Sequence, residues 1–344
     1  MTESSMEDVA RLAGVSVSTV SRALRGSALV SPETTARVRA AAAELSFAIS
    51  RAASSLATGK LNRVAVLLSG SLGAWFNGTL LDSVYATLHQ AGQELLIYRT
   101  LDSAERDEFF ATLPARRNAD ALIVASLELT SGQRSRLRQL GMPLVYVNQR
   151  VRGAAAVSID DAAGAAGATR HLLSLGHRRI AFVGWAHAAG THPSSLDRLS
   201  GYREVMTEAG IAASAQRVIT ASERDAGRVV VAELVGSPPM PTGLVVESDE
   251  LAMSMLAEFS RDGVRVPQSL SVIGFDGHAM AEKFGLSTVV QPVDQLGRQA
   301  AELALSLAGG APGRRKSIMV PTRLVFRTST APPPDEPVDQ ERGH

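Results

Sequence analysis

The sequence predicts a small all-α head followed by a larger α/β core of two doubly wound parallel-sheet lobes. Three observations lead there. Residues 6–46 read as three short helical segments. From residue 62 onward, short apolar runs alternate with amphipathic stretches, the pattern of strands alternating with helices in a parallel sheet. The apolar runs are also too numerous for one sheet, and a chain of 344 residues has room for two or three domains.

In the head, Ser5 and Asp8 have the spacing of a capping box, with Asp in place of the usual Glu. A first helix is expected over residues 6–13, with Val9, Leu12 and Ala13 facing inward, and Gly14-Val15-Ser16 breaks it. A second helix over 17–24 carries Val20 and Leu24 at i, i+4 spacing and ends at Arg25-Gly26-Ser27. Ser31-Pro32-Glu33 starts a third helix, a cap followed by Pro at the first helical position, and this helix runs to about Ser46. Residues 47–61 are small, polar and weakly periodic, which makes them a linker.

In the core, strands are expected at 64–68, 94–98, 121–125, 144–147 and 157–159, then at 180–183, 218–220, 243–246 and 271–275. A last apolar segment, 318–326, is expected as one edge strand. The domain boundaries are therefore a head at 1–46, a linker at 47–61, a two-lobed core at 62–330 and a disordered Pro-rich and polar tail at 331–344.

Composition narrows the function. The chain has no cysteine, which removes disulfides, zinc–thiolate sites and thiol catalysis. Residues 1–10 carry acidic but no basic side chains, and no apolar run approaches membrane-spanning length, so a cytoplasmic protein is expected. Net charge is only +1, but between residues 11 and 60 seven basic side chains face just Glu33 and Glu44. A basic head on a near-neutral core is the charge pattern of a DNA-binding module joined to a separate domain. No phosphate-binding loop, dinucleotide glycine triplet or His-Glu-x-x-His occurs, and the seven histidines are scattered. An enzyme, a metal and a cofactor are not expected.

The first two helices have the spacing of a helix-turn-helix, with Gly14 at the turn. Ser16, Thr19 and Ser21 can bond phosphate oxygens, Arg22 can fork onto a guanine edge, and Val17 can touch a thymine methyl. Ser5 is kept with this DNA-contact set. An ordinary three-helix bundle with solvated hydroxyls has the same spacing. The run Glu7-Asp8-Val9-Ala10-Arg11-Leu12-Ala13-Gly14-Val15-Ser16-Val17-Ser18-Thr19-Val20-Ser21-Arg22-Ala23-Leu24 resembles the head signature of the lactose-repressor (LacI/GalR) family. The resemblance implies that Val17, Ser18 and Arg22 face base edges. It also implies a hinge in which Ala53 and Leu56 match the family's Ala and its minor-groove Leu wedge. Ile49, Ser50 and Ser54 depart from the Pro, Asn and Arg common there.

The core resembles the family at Asp160-Asp161, at the run from His171 to Ala181, and at Arg198 with Gly201-Tyr202. It does so again in the segments 271–277 and 286–292, so the resemblance reaches about Thr328. It departs at Ser248, where Asn is usual, and at Gly277, where Asp is usual. The implied core is of periplasmic-binding-protein type, with a cleft at the strand ends. Arg198 and Asp276 are the first effector-contact candidates, able to bracket vicinal hydroxyls. Ser248, Trp75, Phe76, Asp160 and Ser126 complete the set, the two rings for stacking or for lobe packing. Asp249 reads as a helix cap or a ligand contact, and His177 as the anchor of a surface turn. The expected function is an effector-responsive repressor of a carbohydrate-utilisation operon. It would bind pseudo-palindromic operator DNA as a homodimer, take a sugar-like small molecule and have no membrane association. The alternative is a solute-binding protein with no DNA role.

Overall fold

The computed structural model describes residues 4–24, 27, 29–47, 60–149, 151–185, 193–212, 217–221, 225–311 and 316–334. The chain divides into two compact units, Met1–Asn62 and Arg63–His344.

The first unit holds α1 (Met6–Ala13), α2 (Val17–Leu24) and α3 (Pro32–Glu44). The Ser5–Asp8 capping box forms as expected and satisfies donors that the first turn of α1 would leave open. Gly14 ends α1 in the left-handed region at φ 65°, and its N–H reaches back to the Ala10 and Arg11 carbonyls. Ser16 then opens α2, its Oγ accepting the Thr19 N–H at 3.2 Å. The three helices close over Val9, Ala10, Ala13, Val20, Ala23, Val38, Ala41 and Ala42. Leu12 is 47% exposed, not inward, and the smaller Ala10 takes the inward place. The third helix stops at Glu44, because Ser46 turns left-handed at φ 48°. Ala53 and Leu56 lie outside the described residues.

The second unit has two lobes. The first contains β1 (Arg63–Ser69), α4 (Trp75–Gln90), β2 (Glu94–Thr100), α5 (Ser103–Thr112), α6 (Ala115–Asn118), β3 (Ala121–Ala125), α7 (Ser131–Gln139), β4 (Leu144–Val147) and β5 (Ala155–Ser158). The chain then crosses to the second lobe. There it forms α8 (Asp161–Ser174), β6 (Ile180–Trp185), α9 (Pro193–Glu208), β7 (Arg217–Ala221), α10 (Ala226–Gly236), β8 (Gly243–Val246), α11 (Asp249–Arg261), β9 (Ser271–Asp276) and β10 (Ser287–Val290). It crosses back for α12 (Val293–Ala308), which packs on α4, and for β11 (Ser317–Met319), and crosses once more for β12 (Arg323–Val325).

Among the described residues the sheets run β11-β5-β4-β3-β1-β2 and β12-β10-β9-β8-β6-β7. All pairings are parallel except that of β12 with β10. The sheet interiors are continuous apolar runs, as strands covered on both faces require; β3, Ala-Leu-Ile-Val-Ala, is buried throughout. The segment 318–326, expected as one edge strand, is two. β11 pairs with β5 in the first sheet, β12 pairs with β10 in the second, and Val320-Pro321-Thr322 crosses between them.

Ala331, expected at the start of a disordered tail, is tied to β9. The Ala331 carbonyl accepts from the Ser271 hydroxyl at 2.9 Å, and the Ala331 N–H donates to that hydroxyl at 3.0 Å. His177, expected at a surface turn, is fully buried. One ring nitrogen lies 3.0 Å from the Thr242 hydroxyl and the other 2.8 Å from the Ala331 carbonyl.

Gly201 sets the closeness of α9 to α8, since a Cβ there would run into the Ala162 carbonyl. Backbone cannot give way as a flexible side chain can. Gly201→Ala should destabilise the second unit by about 1–3 kcal/mol, read as a lower urea midpoint with an unchanged slope.

Candidate functional site

Parallel sheets aligned side by side bring the carboxyl ends of their strands to one opening. In the second unit this opening is a cavity of about 520 Å³ between the lobes. The first lobe supplies Phe76 from the first turn of α4, Ser126 after β3 and Asn148 after β4. The second supplies Trp185 at the end of β6, Arg198 from α9, Ser248 after β8 and Asp276 at the end of β9. Gln291, after β10, lies where the chain crosses back.

Arg198 is the centre of this site. Its Nε donates to Asp161 Oδ1 at 2.8 Å and its Nη1 to the Glu247 carbonyl at 2.6 Å. Asp276 Oδ1 lies 3.6 Å from the same Nη1, and the guanidinium carbon sits 3.7 Å from the centroid of the Phe275 ring. Burial pushes the Asp161 and Asp276 carboxyls above the ordinary carboxylate range, and the charge of Arg198 opposes this in both. Removing the guanidinium would strand two buried acids, a loss of about 3–5 kcal/mol for a broken buried pair.

Asp276 has φ 127°, Asn148 φ 55° and Ser126 φ 47°, left-handed backbone that L residues seldom adopt. Strain of this kind persists only where surrounding contacts enforce it. For Asp276 they are Arg198 and Gln291, whose Nε2 donates to Asp276 Oδ1 at 2.6 Å. Gln291 Oε1 and Asn148 Oδ1 are buried and have no hydrogen-bond partner among the described residues. They are acceptors that a ligand hydroxyl can satisfy.

Five of the seven expected cleft residues line the cavity: Phe76, Ser126, Arg198, Ser248 and Asp276. Two do not. Trp75 packs against His278 with ring centroids 5.5 Å apart, because adjacent helical residues point about 100° apart and only Phe76 faces the cleft. Asp160 caps α8, accepting the Ala163 N–H at 3.0 Å, and its neighbour Asp161 meets Arg198. Ser248 also caps its helix, α11, and its Oγ accepts the Trp185 indole N–H at 3.1 Å. That bond fixes a ring the sequence reading missed. Three of the residues missed, Trp185, Asn148 and Gln291, share one signal: each stands at or just beyond the carboxyl end of an apolar run; Ser194 and Glu250, in the first turns of their helices, do not.

Asp249 is a clamp, neither helix cap nor cavity wall. Its carboxylate accepts from Thr288 Oγ1 at 2.7 Å and from the backbone N–H groups of Gly277 and His278 at 2.9 and 2.8 Å. Burial pushes its pKa up to about 6 against those bonds.

In the head, Val17, Ser18 and Arg22 are exposed on α2, and Thr19 and Ser21 are half-buried. Ser16 Oγ lies 2.9 Å from Ser18 Oγ and 2.8 Å from Thr19 Oγ1, so the three hydroxyls form one cluster at the start of the helix. The Ser5 hydroxyl is engaged with Asp8 in the capping box. Among the described residues, no group of three or more His, Cys, Asp or Glu side chains could hold a metal, and no helix is long and apolar enough to cross a membrane.

A helix-turn-helix head with a separate two-lobed core and a polar cleft defines the class of transcription regulators that join a DNA-binding domain to an effector-binding domain. Residues 5–50 match the model for bacterial regulatory proteins of the lacI family, and residues 169–330 match a periplasmic binding protein-like domain. The HTH-type transcriptional regulator GalS of Salmonella typhimurium is 34% identical over 310 residues, 89% of this chain and 90% of that one. The lac repressor dimer bound to operator and the anti-inducer ONPF shares the fold, with a TM-score of 0.85 at 23% identity over 96% of this chain and 100% of that one. The transcriptional regulator CelR in complex with cellobiose gives a TM-score of 0.71 at 28% identity, over 95% of this chain and 99% of that one. The chain belongs to the lacI family of bacterial transcription regulators. It is a DNA-binding regulator and not an enzyme.

The position of Asp249 gives a pH signature. The folded protein keeps the Asp249 proton at pH values where the unfolded chain, with an ordinary value of 3.8, has lost it. Stability from this group is therefore full at low pH and declines as pH rises from about 4 to about 6, by up to about 3 kcal/mol. Urea unfolding of the wild type and Asp249→Asn should show the wild type losing ground to the variant between pH 4 and pH 7. A difference independent of pH would contradict the assignment.

Proposed function

We propose that this protein represses a carbohydrate-utilisation operon. It would act in the cytoplasm, as a homodimer on a pseudo-palindromic operator, with its operator affinity set by an uncharged sugar or sugar derivative in the interlobe cleft. The observation that carries the ligand class is the lining of that cleft. Asp276, Gln291 and Asn148 offer directional acceptors for hydroxyls, and Phe76 and Trp185 offer rings for a sugar face. Arg198 is the cleft's cationic lining residue among those described, and Asp161 and Asp276 already match its charge. Among the described lining residues a phosphorylated sugar would meet no unmatched cation. The cellobiose bound by CelR is consistent with this class.

The dimer follows from the size of the reading head. One eight-residue helix spans too few base pairs for specificity, and paired half-sites supply the rest. Val17, Ser18 and Arg22 are the proposed base readers, and the hydroxyls of Ser16, Thr19 and Ser21 the proposed phosphate contacts. Ser5 serves α1 as a cap. Ala53 and Leu56 are proposed as minor-groove contacts on the family resemblance alone. Closure of the lobes on ligand would couple to operator affinity by about 1–3 kcal/mol, typical of such switches.

A gel shift with genomic fragments at moderate salt tests the reading: binding without sequence preference would sink it. On the selected operator, Arg22→Ala should weaken specific binding about ten- to a hundredfold, the value of one forked base contact, and leave non-specific binding nearly unchanged. Phe76→Ala should keep operator binding and lose the response to the sugar identified by thermal-shift screening. A retained response would remove Phe76 from the site.

A further inference from the structure

A second cavity, of about 330 Å³, opens in the first lobe away from the cleft. It lies at the amino ends of β4 and β5, bounded by the end of α7 and the segments 141–144 and 151–154. Its floor is apolar, with Met142, Val151 and the ring of Tyr146, which is 2% exposed. Its rim carries three guanidiniums, Arg134, Arg138 and Arg152, and no acidic residue lines it among the described residues.

In the same lobe Arg63 pairs with Glu94 at 2.6 Å. None of these three forms an ion pair among the described residues. The end of α7 suits cations, since its open carbonyls carry partial negative charge. That accounts for Arg138 but not for Arg152, which comes from a different segment and faces the same recess. Burial raises the pKa of the Tyr146 phenol, and the charges of Arg138 and Arg134 oppose the rise. Like charges gathered around an apolar recess repel one another until an anion neutralises them.

We propose that this cavity binds a small organic carboxylate, its acid group among Arg134, Arg138 and Arg152 and its aromatic or short aliphatic body on the Met142–Tyr146–Val151 floor. Guanidiniums match carboxylates through paired N–H donors, and the buried phenol adds a neutral donor beside them. An inorganic anion would leave the floor wet. A DNA backbone, convex and apolar nowhere along its phosphates, would not fill a recess. The site is distinct from the cleft, yet β4 joins the two: Leu144 lines the cavity and Asn148, one residue past the other end of the strand, lines the cleft, roughly 13 Å away along the backbone.

Isothermal titration of the full-length protein with benzoate, and with benzamide as its neutral counterpart, tests the site. Benzoate should give a saturable heat and benzamide none. Arg138→Gln and Arg152→Gln, at exposed positions and so compatible with folding, should each weaken benzoate binding at least tenfold with unchanged melting temperature. Phe76→Ala, altered in the cleft, should bind benzoate as the parent does. No saturable heat, equal binding of benzamide, or loss in Phe76→Ala would overturn the proposal. So would arginine variants that bind DNA more weakly with a shallower salt dependence while the parent ignores benzoate; that result would assign the guanidiniums to DNA phosphates.

Discussion

One buried guanidinium ties the cleft together. Arg198 reaches Asp161 at the first lobe crossing, the carbonyl at the end of β8, and Asp276 at the end of β9. A cation in an apolar interior is unfavourable unless nearly every donor is matched, so its partners hold one arrangement. The close approach of α9 to α8 at Gly201, the left-handed backbone of Asp276 and the bond from Gln291 all bear on that arrangement. Asp249, one strand end away, fixes the turn after β9 by the same means, a buried carboxylate with donors on three sides. The second lobe thus presents a pre-set polar wall, and a ligand has little ordering of that wall left to do.

The two halves of the cleft are built differently. The second-lobe wall is a network of charges and fixed hydrogen bonds. The first-lobe wall is simpler: one ring from α4 and polar residues at the ends of β3 and β4, two of them in left-handed backbone. Asn77 holds the turn beneath this wall, donating to the Ser69 and Ser71 carbonyls at 3.0 and 2.9 Å. A rigid half facing a simpler one suits a site that must bind firmly and still report its occupancy through the position of the lobes.

Much of this was legible in the sequence, and the misses have physical causes. The strands at 121–125, 144–147 and 243–246 match to the residue, because a strand buried on both faces is written as an unbroken apolar run. The head helices α1 and α2 match because their punctuation is local: Ser5, Gly14 and Ser16 act on their own neighbours. Which of two adjacent residues faces a site is not local. Trp75 against Phe76 and Asp160 against Asp161 turn on partners far away in sequence, His278 and Arg198, and Leu12 against Ala10, two apart on α1, turns on how α2 and α3 close over the helix. The split of 318–326 into two strands has the same origin, since both halves read as extended chain and only their partners, β5 and β10, tell them apart.

The return of the chain to the first lobe has a consequence for synthesis. β5 is an edge until β11 arrives, and α4 has an uncovered face until α12 packs on it. Both late pieces follow the whole run from β6 to β10. A ribosome therefore releases the first lobe unfinished, with an open strand edge and a bare helix face, while the second lobe is still being made. Its completion is a long-range event delayed to the end of translation. The nascent protein must pass through a stage at which the lobe made first is more aggregation-prone than the lobe made after it.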